Sequence, residues 1–329
     1  MGLNLPKHAD VVSAAKRISG RVDTTPVFRS TVLDKIAGAS LLIKAECLQQ
    51  TGSFKLRGAT NRLLQIPEKQ RPAGVVAFSS GNHAQGVARA ARLLAMPALI
   101  VMPKDAPAVK VEGVEADGAE VYLYDRDTEN REQIAADIAA KRGAVLVPSF
   151  DDPMIIAGQG TVGLEIADQA SARNMRLDHL ICCTGGGGLI TGICLGLSGV
   201  SPETKIWTAE PDGHDDWKRS LETGRIQSNS PGTRSVCDAI LTPQPGDLTW
   251  AIGSQYLSGG CVVSDAHVYE AMRLASRQLR VVVEPGGAVA LAAALFRLPE
   301  EAKGKTVGIV LTGGNVDARQ FARVLRREV

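Results

Sequence analysis

The sequence predicts an α/β protein with two open, twisted, mostly parallel sheets and helices on both faces. Three observations predict it. From residue 41 onward, short β-rich runs alternate with helical patterns, the rhythm of strands joined by crossover helices. The 329 residues are about twice a usual single-domain length of ~150, enough for two bodies with large cores. Three glycine- or serine-rich loops follow apolar strands, where open α/β sheets bind ligands.

Strands are expected at 41–45, 75–78, 98–102, 121–124, 145–147, 180–183, 206–209 and 307–311. Helical spacing lies between them at 54–65, 84–94, 128–141, 155–169, 188–198, 266–279, 287–297 and 317–327. Residues 74–148 read as a βαβαβαβ block inserted as a smaller substrate-side domain; residues 1–73 with 149–329 would form the larger one.

Hydrophobic residues at 44% and charged residues at 22% describe a globular chain, not a disordered one. Thirty-seven basic against thirty-five acidic side chains leave +2, no field for nucleic acid or an anionic membrane. Aromatic residues at 4% supply no stacking platform for single-stranded bases. The amino terminus lacks the apolar stretch of a secretory signal, and Pro6 stands where a myristoylation signal has Ser or Thr, so a cytoplasmic protein is expected. Cys47, Cys182, Cys183, Cys194, Cys237 and Cys261 lack zinc or redox spacing and read as buried free thiols.

Four loops carry chemistry. In TGSFKLRGATN, Lys55 lies at the start of a helix expected to be capped by Ser53, whose N-terminal potential disfavours a protonated amine. Such a lysine is a Schiff-base nucleophile or an ordinary surface residue. In FSSGNHAQG, Ser79, Ser80, Gly81, Asn82 and His83 gather backbone donors, hydroxyls and an amide at a strand-to-helix turn, suiting a carboxylate or phenolate; His83 alone would read as a core or surface histidine.

In CCTGGGGLITG, the four glycines Gly185–Gly188 are costly to order, and bare N–H groups at a helix start can cradle a phosphate. A Walker A loop fails for want of its lysine. A dinucleotide fingerprint fails because three residues, not two, precede Gly192, although Glu210 stands where a ribose-binding acid belongs. In VLTGGNVD, Thr312 closes a strand and could offer its hydroxyl to a ring nitrogen, or be an ordinary strand-end threonine. The acids Glu210, Asp212, Asp215 and Asp216 either hold a divalent cation or cap the helix beginning near Trp217.

Taken jointly and in this order, SFKLRGA, SSGNHAQG, TGGGGL, EPGGAVALAA and LTGGNVD resemble the serine/threonine dehydratase and serine racemase family over about residues 10–326. These are fold-type II pyridoxal phosphate enzymes with tryptophan synthase β-like architecture. The resemblance implies that Lys55 carries pyridoxal 5'-phosphate covalently and that Phe54 packs on its ring. It implies that Asn82 meets the phenolic oxygen, that Gly185, Gly186, Gly187, Gly188 and Leu189 hold the phosphate, and that Thr312 meets the pyridine nitrogen. Ser79, Ser80, Gly81, Asn82 and His83 would bind the substrate carboxylate. The implied reaction is elimination of a β-hydroxyl from an amino acid such as serine, threonine or 3-hydroxyaspartate, giving ammonia and a 2-oxo acid.

Ser80 matches the racemase branch, where a second proton carrier on the opposite face permits inversion. Glu210, the His214 carbonyl and Asp216 match that branch's divalent-cation site, for Mg²⁺, Ca²⁺ or Mn²⁺. Cys237, Asp238 and Ala239 depart from a common Asp-Gly pair, which leaves substrate size and β-substituent open; Asp137 stands where the racemase branch tends to have an arginine, which weakens racemization and a dicarboxylate substrate. A homodimer without a regulatory domain is implied.

Overall fold

Runs such as Leu41–Ile43 and Val307–Leu311 place branched side chains on both faces of a strand, which requires cover on both sides and so a parallel sheet between helix layers. The computed structural model describes residues 4–106 and 108–329. Its strands are β1 (Val27–Phe28), β2 (Ser40–Ala45), β3 (Val75–Phe78), β4 (Ala98–Pro103), β5 (Glu120–Tyr124), β6 (Val145–Leu146), β7 (His179–Cys183), β8 (Lys205–Pro211), β9 (Leu257–Val263) and β10 (Thr306–Leu311). The helices are α1 (His8–Ile18), α2 (Thr31–Ala37), α3 (Lys55–Leu64), α4 (Asn82–Leu93), α5 (Ala108–Ala116), α6 (Arg131–Arg142), α7 (Pro153–Ser171), α8 (Gly188–Ser198), α9 (Asp216–Thr223), α10 (Asp247–Tyr256), α11 (Asp265–Leu274), α12 (Pro285–Phe296) and α13 (Ala318–Arg326).

One sheet runs β1-β2-β10-β7-β8-β9, parallel except where β1 pairs antiparallel with β2. The other runs β5-β4-β3-β6, all parallel, and draws its strands from residues 75–146. Helix α12, PGGAVALAAALF, is buried from Pro285 to Leu295, because small residues let it lie against β7 and β10 on one side and α11 on the other. All six cysteines are buried and free.

The eight strands and eight helices read from sequence are present within a few residues of their expected ends. Strands β1 and β9 were not among them. β1 is two residues long, and β9 contains Gly259 and Gly260, which carry no strand propensity; pairing along β8 makes it a strand, with a bulge at Ile206/Trp207. The expected helix 266–279 ends its α-helical part at Leu274 and continues as a π-helical turn over Ala275–Leu279. Among the described residues no helix is long and apolar enough to cross a membrane.

Candidate active site

Strands β2, β10 and β7 lie side by side and parallel, so the loops leaving their carboxyl ends are brought together at one edge. These loops are the segments bearing Lys55, Thr312 and the four glycines. Main-chain bonds tie the first two: Phe54 N–H donates to Thr312 O at 3.2 Å and Gly314 N–H to Gly52 O at 2.9 Å. The Ser79–His83 loop enters from β3 of the other sheet. All four loops line one cavity of ≈ 220 Å³.

Lys55 is the first residue of α3 and is buried; its Nζ donates to Ser149 O at 2.7 Å and lies 5.3 Å from the Phe54 ring centroid. Burial pushes its pKa down to about 8, so a neutral, nucleophilic amine is accessible. The sequence expectation placed that effect on the helix terminus and on a Ser53 cap. Lys55 does lie at the helix start and burial lowers its pKa, but the structure corrects the cap: Phe54, not Ser53, precedes the helix, without any side-chain cap. Ser53 instead bridges Gly313, and its hydroxyl is buried without a partner among the described residues.

The glycine loop is held by its carbonyls. Gly185 O accepts from Trp217 Nε1 at 2.7 Å and Gly186 O from the Thr249 hydroxyl at 2.7 Å. Among the described residues, no protein acceptor takes the N–H groups of Gly185, Gly186, Gly187, Gly188 or Leu189. Unpaired donors at the start of α8, beside a buried amine, fit a phosphorylated carbonyl cofactor. The glycines also answer to neighbouring side chains: a Cβ at Gly186 would lie 2.5 Å from the Phe150 ring, and Gly187 sits at φ +96° against Trp217 and Thr249.

Asn82 is held at both ends of its amide. Its Nδ2 donates to Glu284 Oε1 at 2.5 Å, and its Oδ1 accepts from Asn315 Nδ2 at 2.8 Å. Burial pushes the Glu284 carboxyl up to about 7, opposed by the Asn82 bond. His83 is buried with its pKa pushed down to about 3, chiefly by desolvation and then by Lys55, so it is neutral; Nε2 meets Val147 O at 3.1 Å. Ser79 Oγ accepts from Gly81 N–H at 3.2 Å, which fixes the loop, while Ser80 and Thr312 also line the cavity.

The acidic cluster is tied up differently from the cavity loops. Glu210 Oε1 accepts from Trp217 N–H and Oε2 from Lys218 N–H, both at 2.9 Å, so this buried carboxylate caps α9. Asp216 Oδ1 accepts from Asn229 at 2.6 Å, whereas its Oδ2 is buried without a partner, and burial pushes its pKa up to about 7. Both His214 ring nitrogens are buried and, among the described residues, unpartnered. Among the described residues no three His, Cys, Asp or Glu side chains come close enough to hold a metal. The orphaned Asp216 oxygen fits a cation only if backbone oxygens complete the shell.

Several lining residues were not singled out from sequence as site residues: Glu284, Ser149, Phe150, Lys110 and Arg131. Glu284 was within reach, since it opens the EPGG segment; the others come from loops whose placement is tertiary. Asp137 does not approach the site; it is exposed on α6 and accepts from Gln133. Arg131, at the start of α6, lines the cavity instead, with its guanidinium carbon 5.5 Å from the Phe78 ring centroid. An arginine is therefore present at the cavity, contributed by position 131 and not by position 137.

A family described as pyridoxal-phosphate dependent enzyme matches residues 18–313. An L-threo-3-hydroxyaspartate ammonia-lyase of a Pseudomonas species is 45% identical over 98% of this chain and 100% of its own length. A serine racemase of Schizosaccharomyces pombe is 37% identical over 98% of both chains. The solved structure of maize serine racemase superposes with a TM-score of 0.92 at 37% identity, covering 98% of each chain.

Proposed function

This chain belongs to the pyridoxal-phosphate dependent enzyme family, and on that premise we propose that it is an ammonia-lyase converting a β-hydroxy amino acid to a 2-oxo acid. The 3-hydroxyaspartate class is favoured over serine and threonine by the 45% identity to a relative of that name. One observation carries the reading: the buried, weakly basic Lys55 amine and the unpaired N–H groups of Gly185–Leu189 face the same cavity.

Pyridoxal 5'-phosphate, when bound, supplies a carbonyl for the substrate amine and a ring that draws electron density from the α-carbon. Lys55 would hold it through Nζ, and the same buried, weakly basic amine is placed to take the substrate's α-proton. The glycine N–H groups would hold its phosphate, Phe54 would cover its ring, and the Thr312 hydroxyl would meet its nitrogen. Asn82, oriented by Glu284 and Asn315, would meet the phenolic oxygen. Ser79, Ser80, Gly81, Asn82 and neutral His83 receive the substrate α-carboxylate through the start of α4. Loss of the α-proton and β-hydroxyl removes water overall, and hydrolysis of the released enamine, through its imine, returns water and yields ammonia.

Lys55→Ala is expected to lower kcat at least about a thousandfold, measured as ammonia and 2-oxo acid release. Near-full turnover by that variant would defeat the assignment. Ser80, which lines the cavity, keeps isomerization as a second reading, favoured only if L-serine gives D-serine faster than pyruvate.

The protein is further read as a homodimer with the smaller body at 74–148 and the larger at 1–73 plus 149–329. Its divalent cation, Mg²⁺, Ca²⁺ or Mn²⁺, would be held by Asp216, the His214 carbonyl and Glu210 released from its cap. The supporting observation is the orphaned Asp216 oxygen. A chelator is expected to lower the thermal midpoint of wild-type protein and leave Asp216→Asn unmoved; equal shifts would remove the cation from the proposal.

A further inference from the structure

Across the mouth of the cavity, Lys110 of α5 meets Asp238, the first residue of a 3₁₀ turn over Asp238–Ile240; Nζ lies 3.0 Å from Oδ2. The pair joins an element of the four-stranded sheet's body to one flanking the six-stranded sheet. Its members are unequally placed: the lysine side chain is 12% exposed and the aspartate 62%. Lys110 Nζ also lies 3.6 Å from where a Cβ on Gly81 would sit, so it abuts the loop assigned to the substrate.

A mostly buried ammonium needs a counter-charge, whereas a largely solvated carboxylate returns to water at little cost. The exposed partner is therefore the exchangeable one. Arg131 adds a second cation to the same wall, and among the described residues no carboxylate pairs with it. The cavity's other carboxylate, Glu284, lies deeper and is engaged by Asn82.

We propose that Asp238 is a placeholder for a second substrate carboxylate. It neutralises Lys110 before substrate binds and gives way when a dicarboxylic β-hydroxy amino acid presents its distal carboxylate to that ammonium. Serine and threonine, with one carboxylate, leave the pair intact. The inference rests on the lyase reading above and adds the residue that selects among its substrates.

The test uses holoenzyme and two unreactive probes, succinate and butyrate, which differ by one carboxylate replaced with methyl. Their affinities are measured by titration calorimetry, so the result does not depend on turnover. Succinate is expected to bind more tightly to wild type. Lys110→Met should reduce the succinate-to-butyrate preference about tenfold or more, and Lys110→Arg should retain most of it. Asp238→Asn should tighten succinate several-fold without tightening butyrate. If Lys110→Met weakens both probes equally, Lys110 serves the α-carboxylate and the proposal is overturned. If Asp238→Asn weakens succinate, Asp238 supports the ligand and is no placeholder. Absence of ammonia release from every β-hydroxy amino acid by wild type would instead defeat the lyase reading, leaving the probe ratios to stand or fall separately.

Discussion

Glu284 shows how one side chain can couple the cavity-lining Asn82 to pH. Its carboxyl is buried, pushed up to about 7, and receives a 2.5 Å bond from Asn82. A carboxyl whose folded pKa exceeds its ordinary 4.5 binds more protons in the native state than in the unfolded one. It stabilises the fold below the ordinary value, and that contribution is lost as pH rises from 4.5 through 7. Glu284→Gln should therefore flatten the pH dependence of unfolding free energy in that window, measured by denaturant titration. An unchanged profile would mean that another group dominates. Lys55 has the opposite relation: its lowered pKa penalises the folded state below about 8 and relieves it as pH rises toward 10.5. Residue identity made Lys55, Asn82 and the glycines legible beforehand. The polarity of the Asn82 amide was not, because Glu284 lies 202 positions away.

At the scale of elements, the glycine loop is a turn specified twice over, by the anion it can cradle and by the side chains beneath it. Trp217 of α9 and Thr249 of α10 grip its carbonyls, which leaves the N–H groups unpaired toward the cavity. Gly187→Ala combines a backbone angle that L residues rarely adopt with a collision against the Trp217 ring. The expected cost is about 1–3 kcal/mol of stability with lower cofactor occupancy, read by denaturant unfolding and by absorbance of the purified protein. Retention of both would show that the loop can rotate freely. The glycine run marked a candidate phosphate turn in the sequence, whereas the packing demand on it did not show there, since Phe150, Trp217 and Thr249 meet it only in the folded chain.

Across the whole molecule, a buried ionic network fixes the lysine-bearing helix. Arg57, two residues beyond Lys55, has a fully buried side chain and pairs with Glu46 at 2.8 Å and Glu165 at 2.6 Å; Lys44 joins Glu165 at 2.6 Å. The network links the end of β2, α3 and α7. Arg57→Met would strand Glu46, itself fully buried, and should cost about 3–5 kcal/mol of stability. Equilibrium unfolding measures it, and a loss below ~1 kcal/mol would show that Glu46 finds another partner.

The alternation of apolar runs with helical spacing determined the α/β class and most element positions by itself, because periodicity and turn chemistry are local properties of the chain. The composition of those loops likewise marked the segments that line the cavity. Only the tertiary structure decided that β9 forms despite its glycines, and that Arg131 rather than residue 137 meets the cavity. It also decided that Asp238 faces Lys110. Each of these depends on pairing or desolvation between residues far apart in the chain, and such energies come into being only when the two sheets and their helices are packed together.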